Sequence, residues 1–249
     1  MLIIRTTLVF LVLFFVTSSI HSQNAGIITY STTTKLEIKL PAGMKVSGMM
    51  PTEHTTLTDV TFNESASLER VSDEAESEDK EITSDDGRIK MVLMDSGIDE
   101  KTYHDYKQGI RIERVDLMGK AFIIKDSIRQ VKWKIIPEKI KYLGYECMKA
   151  MTTSEEGQPV IAWFAPSIKT QAGPGNYGQL PGAILLLSVG KDKKQIKATK
   201  VVLKDVGPID APDDGKVVTQ KEFDLIQKEK MEEINNSMRK GGTRIEIRG

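Results

Sequence analysis

Hydrophobic and polar residues alternate along most of the chain in short runs, with the period of two that is typical of β-strands. In residues 36–40, for example, three aliphatic side chains alternate with Glu37 and Lys39. Short connections rich in turn residues separate the runs, as at Gly119. Sequential strands with short turns predict an antiparallel meander rather than strands joined by crossover helices. The predicted strands are residues 26–30, 36–40, 57–62, 88–94, 110–117, 121–125, 131–135, 139–151, 160–164, 184–189 and 196–203.

A single helix is predicted near the C-terminus, over about residues 219–240. It opens with a capping box, in which the Thr219 hydroxyl and the Glu222 carboxylate can each accept a hydrogen bond from a free backbone N–H. Apolar residues then recur near the helical period, and Gly241 ends the run. The apolar face of the helix is expected to dock on the sheet or on a partner. Residues 243–249 alternate again and form either a last edge strand or a frayed end.

These elements predict a β-rich α+β domain. We expect a curved antiparallel sheet, shaped like a half-barrel or a sandwich, with the C-terminal helix packed on it. A curved open sheet leaves a concave apolar face, which the helix or a ligand has to cover.

An acidic segment interrupts the strand pattern. Residues 64–86 contain ten acidic and two basic side chains, with few large apolar ones. Such a segment buries too little apolar surface to offset its ordering entropy, which predicts a mobile acidic loop. Calcium binding is the alternative, although no run matches the D-x-[DN]-x-[DN]-G-x5-E loop.

The first residues have the pattern of a secretory signal peptide. Arg5 supplies a positive charge, residues 8–16 are all apolar, and small polar residues follow. The apolar run is well short of the roughly 20 residues that a membrane-spanning helix needs. We expect cleavage after Ser22, so that residues 23–249 form one exported domain, secreted or periplasmic, with no transmembrane span. The sequence near the cleavage site has no Cys that could carry a lipid anchor, and a retained N-terminal anchor is the alternative.

Composition narrows the possible functions. The 35 basic and 35 acidic residues give a net charge of zero, which excludes the electrostatic pattern of a nucleic-acid-binding protein. One Cys excludes both an intramolecular disulfide framework and a zinc site with several thiolates. The sequence also has no recognisable nucleophile elbow, zinc-protease motif or phosphate-binding loop.

Four segments in order resemble the GLPGLI family, secreted proteins found mainly in Bacteroidetes-type bacteria. The first is Trp133-Lys134-Ile135, and the second is residues 140–150, which end in Gly144-Tyr145-Glu146-Cys147-Met148-Lys149-Ala150. The third is residues 160–168, with Ala162-Trp163-Phe164, and the fourth is residues 173–184, which end in Gln179-Leu180-Pro181-Gly182-Ala183-Ile184. The family-like core residues are Trp133, Tyr145, Cys147, Lys149 and Trp163. The chain departs from the family signature where Gln179 replaces its first Gly and Ala183 its second Leu. The family is of uncharacterised function, so the resemblance implies an envelope location but no active site and no cofactor.

Two Pro-Gly segments are candidate turns. Pro181 fixes its own φ and Gly182 permits a positive one, which predicts a type II turn over residues 180–183. Residues 173–176 contain the same Pro-Gly pair, which predicts a second turn there. Either the two turns only shape a loop, or they form a rigid binding loop. The candidate residues are Gly173, Pro174, Leu180, Pro181 and Gly182.

Candidate catalytic and ligand-binding side chains are few. Cys147, on a predicted strand, is interpreted as a buried small hydrophobe, with a reactive or intermolecularly paired thiol as the alternative. A Cys–His enzyme would have to use His54 or His104, and neither belongs to a nucleophile motif. Residues 103–106, a polar and aromatic cluster, form either a surface loop or a ligand contact.

A metal hypothesis rests on one segment. Met44, Met49 and Met50 lie among Pro and Gly residues, close to His54. Thioether and imidazole groups suit Cu(I). The competing interpretation is that methionine serves as an ordinary filler of hydrophobic space.

From the sequence, we expect a non-catalytic binding or carrier protein of the cell envelope that needs no cofactor. Its partner would be an unidentified small ligand or an envelope protein such as an outer-membrane transporter. The alternatives are a copper-handling accessory of such a transporter, and a hydrolase whose motif is not recognisable.

Overall fold

The computed structural model of the protein describes residues 24–36, 52–75, 80–83, 89–94, 100–240 and 243–248. Within these ranges there is one helix, α1 (Gln220–Lys240). The strands are β1 (Gly26–Lys35), β2 (Glu53–Phe62), β3 (Ala66–Val71), β4 (Lys80–Thr83), β5 (Ile89–Met94), β6 (Lys101–Asp105), β7 (Ile110–Leu117), β8 (Lys120–Ser127), β9 (Lys134–Tyr142), β10 (Tyr145–Thr153), β11 (Pro159–Ala165), β12 (Ala183–Val189), β13 (Lys194–Leu203), β14 (Lys216–Val218) and β15 (Thr243–Arg248). The predicted signal peptide, residues 1–22, lies outside the described residues.

Twelve of these strands form one large, open, curved sheet. Their order is β14-β8-β7-β6-β3-β2-β1-β13-β12-β11-β10-β9, and every neighbouring pair is antiparallel except β14 with β8. β4, β5 and β15 form a small second sheet. The helix packs on β8, where the rings of Phe223 and Phe122 meet edge to face with centroids 5.6 Å apart. The predicted fold class, a β-rich curved sheet with a C-terminal helix on it, is therefore confirmed. No helix in the described ranges combines the length and apolar character of a membrane span.

The capping box predicted at the start of the helix is present. The backbone N–H of Glu222 donates to the Thr219 hydroxyl at 3.2 Å. In return, the backbone N–H of Thr219 donates to the Glu222 carboxylate at 2.8 Å. These bonds satisfy donors that have no partner within a helix, so the helix begins where the sequence indicates.

The register of the strands divides one face of the large sheet into an apolar and a polar half. Residues directly opposite one another in paired strands share a face. This face, which we call the core face, carries buried Tyr30, Val60 and Phe62 on β1 and β2. Beyond β2 the same face becomes polar, since Ser67 lies opposite Phe62 and Glu69 opposite Val60. The register continues these polar positions through Thr102, His104, Arg111, Glu113 and Asp126 on β6, β7 and β8. Further along β8 the face is apolar again, where Ile124 and Phe122 are buried with Phe223 of the helix.

The segment between β11 and β12, residues 166–182, covers the apolar half. Ile168, Ala172 and Leu180 are buried there in one cluster with Tyr30 and Phe62. The expectation that the helix or a ligand would cover a concave apolar face is wrong for this half, because the chain covers it with its own long loop. We call residues 166–182 the covering loop.

Two strand predictions fail for local reasons. The run at 139–151 is two strands, β9 and β10, because Leu143 and Gly144 adopt φ values of 48° and 84° and make a tight hairpin. Residues 131–133 precede β9 rather than form a strand.

The prediction of one mobile acidic loop over residues 64–86 is wrong in part, because β3 and β4 lie within it. β3 is held between β2 and β6, and its Ala66 and Ser67 are buried. Acidic composition therefore did not prevent strand pairing in this segment. At the C-terminus, the alternative of a last strand is the correct one, as β15 pairs with β5 in parallel.

Candidate functional site

An open cleft of about 660 Å³ lies over the polar half of the core face. Its walls come from β6, β7 and β8, from the covering loop and from the first turns of α1. This volume lies within the range of about 300–1,000 Å³ that small-molecule sites occupy. The lining residues are His104, Tyr106, Arg111, Glu113, Asp126, Ser127, Ile128, Arg129, Glu155, Gln171, Gly173, Gly175, Asn176, Tyr177, Gly178, Gln179, Gln220 and Asp224.

Arg111 joins the three walls of the cleft. Its guanidinium forms a largely buried ion pair with Glu113 on the same strand. It also donates to the side-chain carbonyl of Asn176 at 3.2 Å and to that of Gln220 at 3.4 Å. Burial raises the pKa of Glu113, and the Arg111 charge opposes that rise. The sheet, the covering loop and the helix therefore converge on one guanidinium group.

Two aromatic residues line the sheet wall. The rings of His104 and Tyr106 are parallel, with centroids 6.1 Å apart, and the Tyr106 hydroxyl and the Ser67 hydroxyl share a hydrogen bond of 2.7 Å. Burial, with the nearby Arg111 charge, lowers the pKa of His104 to about 4. Burial also raises the pKa of Tyr106 to about 12. Both rings are therefore uncharged at neutral pH.

The covering loop is tied to its surroundings on both sides of the cleft. The backbone N–H of Gly175 donates to the Glu69 carboxylate at 2.7 Å. The indole N–H of Trp133 donates to the carbonyl of Gly178 at 2.8 Å. The side-chain amide of Gln179 donates to the carbonyl of Arg129 at 2.6 Å. Its side-chain carbonyl accepts from the backbone N–H of Val131 at 3.2 Å. The loop wall is thus held in place by polar contacts from separate parts of the chain.

The fixed charges of the cleft are mostly paired with one another. Four carboxylates line it, against two guanidinium groups. Arg111 is paired with Glu113, and Arg129 with Glu155 at 2.7 Å. The remaining carboxylates belong to Asp126 and Asp224 and give the cleft an acidic balance.

A smaller cleft of about 240 Å³ lies beside the first, and Gly175 lines both. Its wall is rich in threonine, from Thr32 and Thr34 on β1 and from Thr56 and Thr58 on β2. The other lining residues are His54, Glu69, Arg70, Val71, Glu100, Thr102 and Lys194.

The structure separates the predicted turn residues into two groups. Gly173 lines the large cleft, and Pro174 is buried beside it. Leu180 instead belongs to the core, Pro181 is exposed, and Gly182 packs against the carbonyl of Ala165, where a Cβ atom would clash. Only the first of the two predicted turns therefore contributes to the cleft.

The type II turn predicted over residues 180–183 is wrong. Gly182 has a φ of 154°, and its N–H donates to the carbonyl of Leu180 at 2.8 Å, which closes a three-residue turn around Pro181. The N–H of Ala183 donates to the carbonyl of Ile168 instead, because the covering loop lies close to it. Gln179, where the family signature has Gly, takes a positive φ of 65°.

The family-like residues are structural in this arrangement. Cys147 is completely buried in the apolar core, and burial raises the pKa of its thiol. Its place fits the interpretation as a small hydrophobe. The Lys149 ammonium pairs with Glu138 at 2.9 Å and lies 5.7 Å from the centre of the Trp163 ring. Tyr145 is half-buried and packs against the core.

Only part of the segment proposed to bind copper lies among the residues that the structure describes. Met44, Met49 and Met50 lie outside the described residues, while His54 lines the smaller cleft. Within the part of the chain that the structure describes, no group of three or more His, Cys, Asp or Glu side chains is arranged to hold a metal ion.

Several cleft residues were not predicted from the sequence. Arg111 and Glu113 lie on a predicted strand, and their polar side chains were the available signal. Asn176 lies in a predicted turn and Gln220 within the predicted capping box, but neither was a candidate site residue. The cluster at residues 103–106 was weighed as a surface loop or a ligand contact. It lies largely on β6, and its His104 and Tyr106 line the cleft.

Comparison with known proteins gives only distant similarity. No family model matches the chain. No curated protein matches it either. The structure of PNGF-II in space group C2 has a TM-score of 0.49 and 17% identity, over 82% of this chain and 33% of that one. The chain thus spans about a third of PNGF-II. A crystal structure of an uncharacterised conserved protein from Thermus thermophilus has a TM-score of 0.36 and 10% identity, over 80% of this chain and 93% of that one. Similarity at this level says nothing of ligand or activity.

Proposed function

We propose that the protein is a non-catalytic binding protein of the cell envelope, whose ligand is a small polar molecule held in the large cleft. The observation that carries this proposal is the convergence of sheet, covering loop and helix on Arg111 in an open, polar cleft. A concave site with a few converging polar groups is the usual form of a small-molecule site.

The polar lining changes the expected ligand. A carrier of apolar ligands would need an open cavity over an apolar part of the core face. In the described part of this protein the covering loop packs on the apolar half of that face and leaves no such cavity there. The open half presents Arg111, Glu113 and His104. A ligand that fits there has to replace the hydrogen bonds of water, so it has to be polar itself.

The tethers of the covering loop also support binding. Glu69, Trp133 and Gln179 hold the loop wall from three positions. A wall that is already ordered loses little conformational entropy when a ligand binds, which favours affinity. The thiol of Cys147 is buried outside the cleft, so the side chain most suited to nucleophilic catalysis lies elsewhere.

Fluorescence of Trp133 tests the proposal. Trp133 and Trp163 are the two tryptophans of the chain, and the Trp133 ring lies 6.3 Å from the ring of Tyr177 in the cleft. A Trp163→Phe variant therefore reports on the cleft through one indole. The variant would be screened against amino acids, neutral and charged sugars, nucleosides and small dicarboxylates. We expect at least one class to shift the emission with saturation.

Asn176→Ala should weaken that response about tenfold or more, since Asn176 is exposed on the loop wall and bonded to Arg111. Lys107→Ala, at an exposed turn that does not line the cleft, is the matched control and should leave the response unchanged. Saturable binding that is indifferent to Asn176, or no response from any class, would contradict a ligand site here.

We also propose that the chain is a member of the GLPGLI family and is exported. The segments that carry the resemblance meet in space, since Trp133 bonds to Gly178 and Gly182 packs against Ala165. Mass spectrometry of the protein from the envelope fraction tests export, and an N-terminus at Gln23 is expected. Recovery of the intact chain from the cytoplasm would contradict it.

A further inference from the structure

We infer that the ligand of the large cleft is an oligosaccharide without acidic groups. This inference rests on the proposed binding function and names the class of ligand. Three independent properties of the cleft carry it: the pairing of its charges, the hydrogen-bonding groups around Arg111, and the aromatic rings on both walls.

The charges disfavour an anionic ligand. Both guanidinium groups in the cleft already hold carboxylates, Arg111 through Glu113 and Arg129 through Glu155. A phosphate or carboxylate ligand would have to displace one of these carboxylates and would then face Asp126 and Asp224 as well. Displacing Glu113 from its largely buried pair with Arg111 would leave a buried charge without its partner, which is strongly unfavourable. The Arg129–Glu155 pair is exposed, so at Arg129 it is the surplus of carboxylates in the cleft that opposes an anion.

The hydrogen-bonding groups suit hydroxyls. Arg111 Nη1 donates both to Glu113 and to the Asn176 side-chain carbonyl, so the carboxylate and the amide lie side by side. With its carbonyl oxygen used, Asn176 presents its N–H donors, while the second oxygen of Glu113 is an acceptor. A hydroxyl group donates and accepts at once, so a single hydroxyl can satisfy this neighbouring donor and acceptor.

A second pair of polar groups repeats the pattern on the helix wall. Gln220 accepts from Arg111 through its carbonyl oxygen and donates to the Asp224 carboxylate at 2.8 Å. Its planar amide and the neighbouring carboxylate again place donors next to acceptors. A molecule with many hydroxyl groups matches a wall built in this way, whereas a ligand with one or two polar groups would leave most of it unused.

Aromatic rings occupy both walls. His104 and Tyr106 lie parallel on the sheet wall, and Tyr177 lies on the loop wall. Both sheet-wall rings are uncharged at neutral pH, and aromatic rings offer flat apolar surface beside polar groups. A pyranose ring has the matching character, with C–H groups on its faces and hydroxyl groups around its edge. The cleft volume of about 660 Å³ leaves room for a short oligosaccharide rather than a single small ion.

Isothermal titration of the purified protein with matched trimers tests the inference. The neutral probes are maltotriose, mannotriose and N,N′,N″-triacetylchitotriose. The cationic probe is the de-acetylated chitosan trimer, and the anionic probe is trigalacturonate. We expect saturable binding of at least one neutral or cationic trimer, with affinity at least tenfold above that of trigalacturonate.

Three variants locate the binding. Asn176→Ala and Tyr177→Phe change the loop wall, and Gln220→Ala changes the helix wall. The two alanine variants should each weaken binding at least tenfold, while Tyr177→Phe retains the ring and should have a smaller effect. Gln227→Ala, an exposed amide on the same helix that does not line the cleft, is the matched control and should bind like the unchanged protein. Circular dichroism would check that each variant is folded.

The outcomes separate the inference from the function on which it rests. Preferential binding of trigalacturonate that depends on Asn176 and Gln220 would overturn the exclusion of acidic groups and leave the binding site in place. If a non-sugar class of ligand binds in the Trp133 fluorescence screen and no trimer binds, the inference of a saccharide ligand is overturned, while the proposed binding function stands. Absence of every Asn176-dependent response in both experiments would overturn the saccharide and the proposed function together.

Discussion

The carboxylate of Glu69 accepts a hydrogen bond of 2.7 Å from the backbone N–H of Gly175, a residue 106 positions further along the chain. Its other oxygen accepts from the Thr58 hydroxyl on the neighbouring strand at 3.2 Å. One side chain thereby connects β2, β3 and the covering loop, at the boundary between the two clefts. The position of the loop wall depends on this contact because it holds the tip of the covering loop to the sheet.

Glu69→Ala should therefore destabilise the protein by about 1.5–3 kcal/mol, the range for losing a hydrogen bond to a charged group. Glu69→Gln keeps a carbonyl acceptor for Gly175 and should lose less. Urea unfolding followed by circular dichroism measures both. Glu229→Ala, at an exposed position of α1, is the control and should leave the midpoint unchanged. Equal midpoints for Glu69→Ala and the unchanged protein would contradict the tethering role of Glu69.

Protonation of His104 should make the protein less stable in acid. Burial and the charge of Arg111 lower the pKa of His104 to about 4, against about 6.5 in an unfolded chain. Between these two values, the unfolded state binds more protons than the folded state, so the free energy of unfolding falls as the pH decreases through this window. Once the pH is below about 4, both states are protonated and the effect is complete.

The His104→Gln variant isolates this contribution, since glutamine does not titrate. We expect the unchanged protein to lose stability relative to the variant as the pH falls from about 7 to about 4.5, by urea unfolding at each pH. Other groups cancel in this difference. Glu69 and Glu113, for instance, have raised pKa values in the folded protein, so their contribution to the free energy of unfolding falls as the pH rises. Both proteins contain these two residues. Parallel pH profiles for the two proteins would contradict a buried neutral His104.

Local sequence signals predicted the scaffold well. The alternation in residues 110–117 and 121–125 identified β7 and β8, and Thr219 with Glu222 identified the start of the helix. These features depend on neighbours in the sequence, where the chemistry of a strand or a cap is visible. The polar segment around His104 was harder, because β6 is held by pairing with β3 and β7 rather than by its own pattern.

The cleft depends on relations that the sequence does not display. Arg111 lies 65 residues from Asn176 and 109 from Gln220, and only the fold brings the three together. The division of the core face likewise follows from register, which places Glu69 opposite Val60. Gly173 was a candidate because a Pro-Gly turn is visible locally. Its role as a cleft residue follows from the covering loop, whose path is set by tertiary packing.

Gly182→Ala should be strongly destabilising. Gly182 has a φ of 154°, which glycine adopts readily and alanine rarely, and a Cβ atom would clash with the backbone of Ala165. Overpacking alone costs about 1–3 kcal/mol, and the backbone strain adds to it. Gly144→Ala is the matched control, since Gly144 has a φ of 84° with open space around it. Thermal unfolding should place Gly182→Ala clearly below Gly144→Ala, and the reverse order would contradict the packing role.

The thiol of Cys147 should be unreactive while the protein is folded. Cys147 is completely buried, and burial raises its pKa, which lowers the fraction of the reactive thiolate. We expect negligible labelling by iodoacetamide in buffer at about pH 8, and full labelling of one thiol per chain in urea. The double variant Cys147→Ala, Ser167→Cys carries its thiol at an exposed position, so it is the control and should react at once. Rapid labelling of native Cys147 would support the alternative of a reactive thiol. Slow labelling that follows the unfolding equilibrium would instead show that the core must open first.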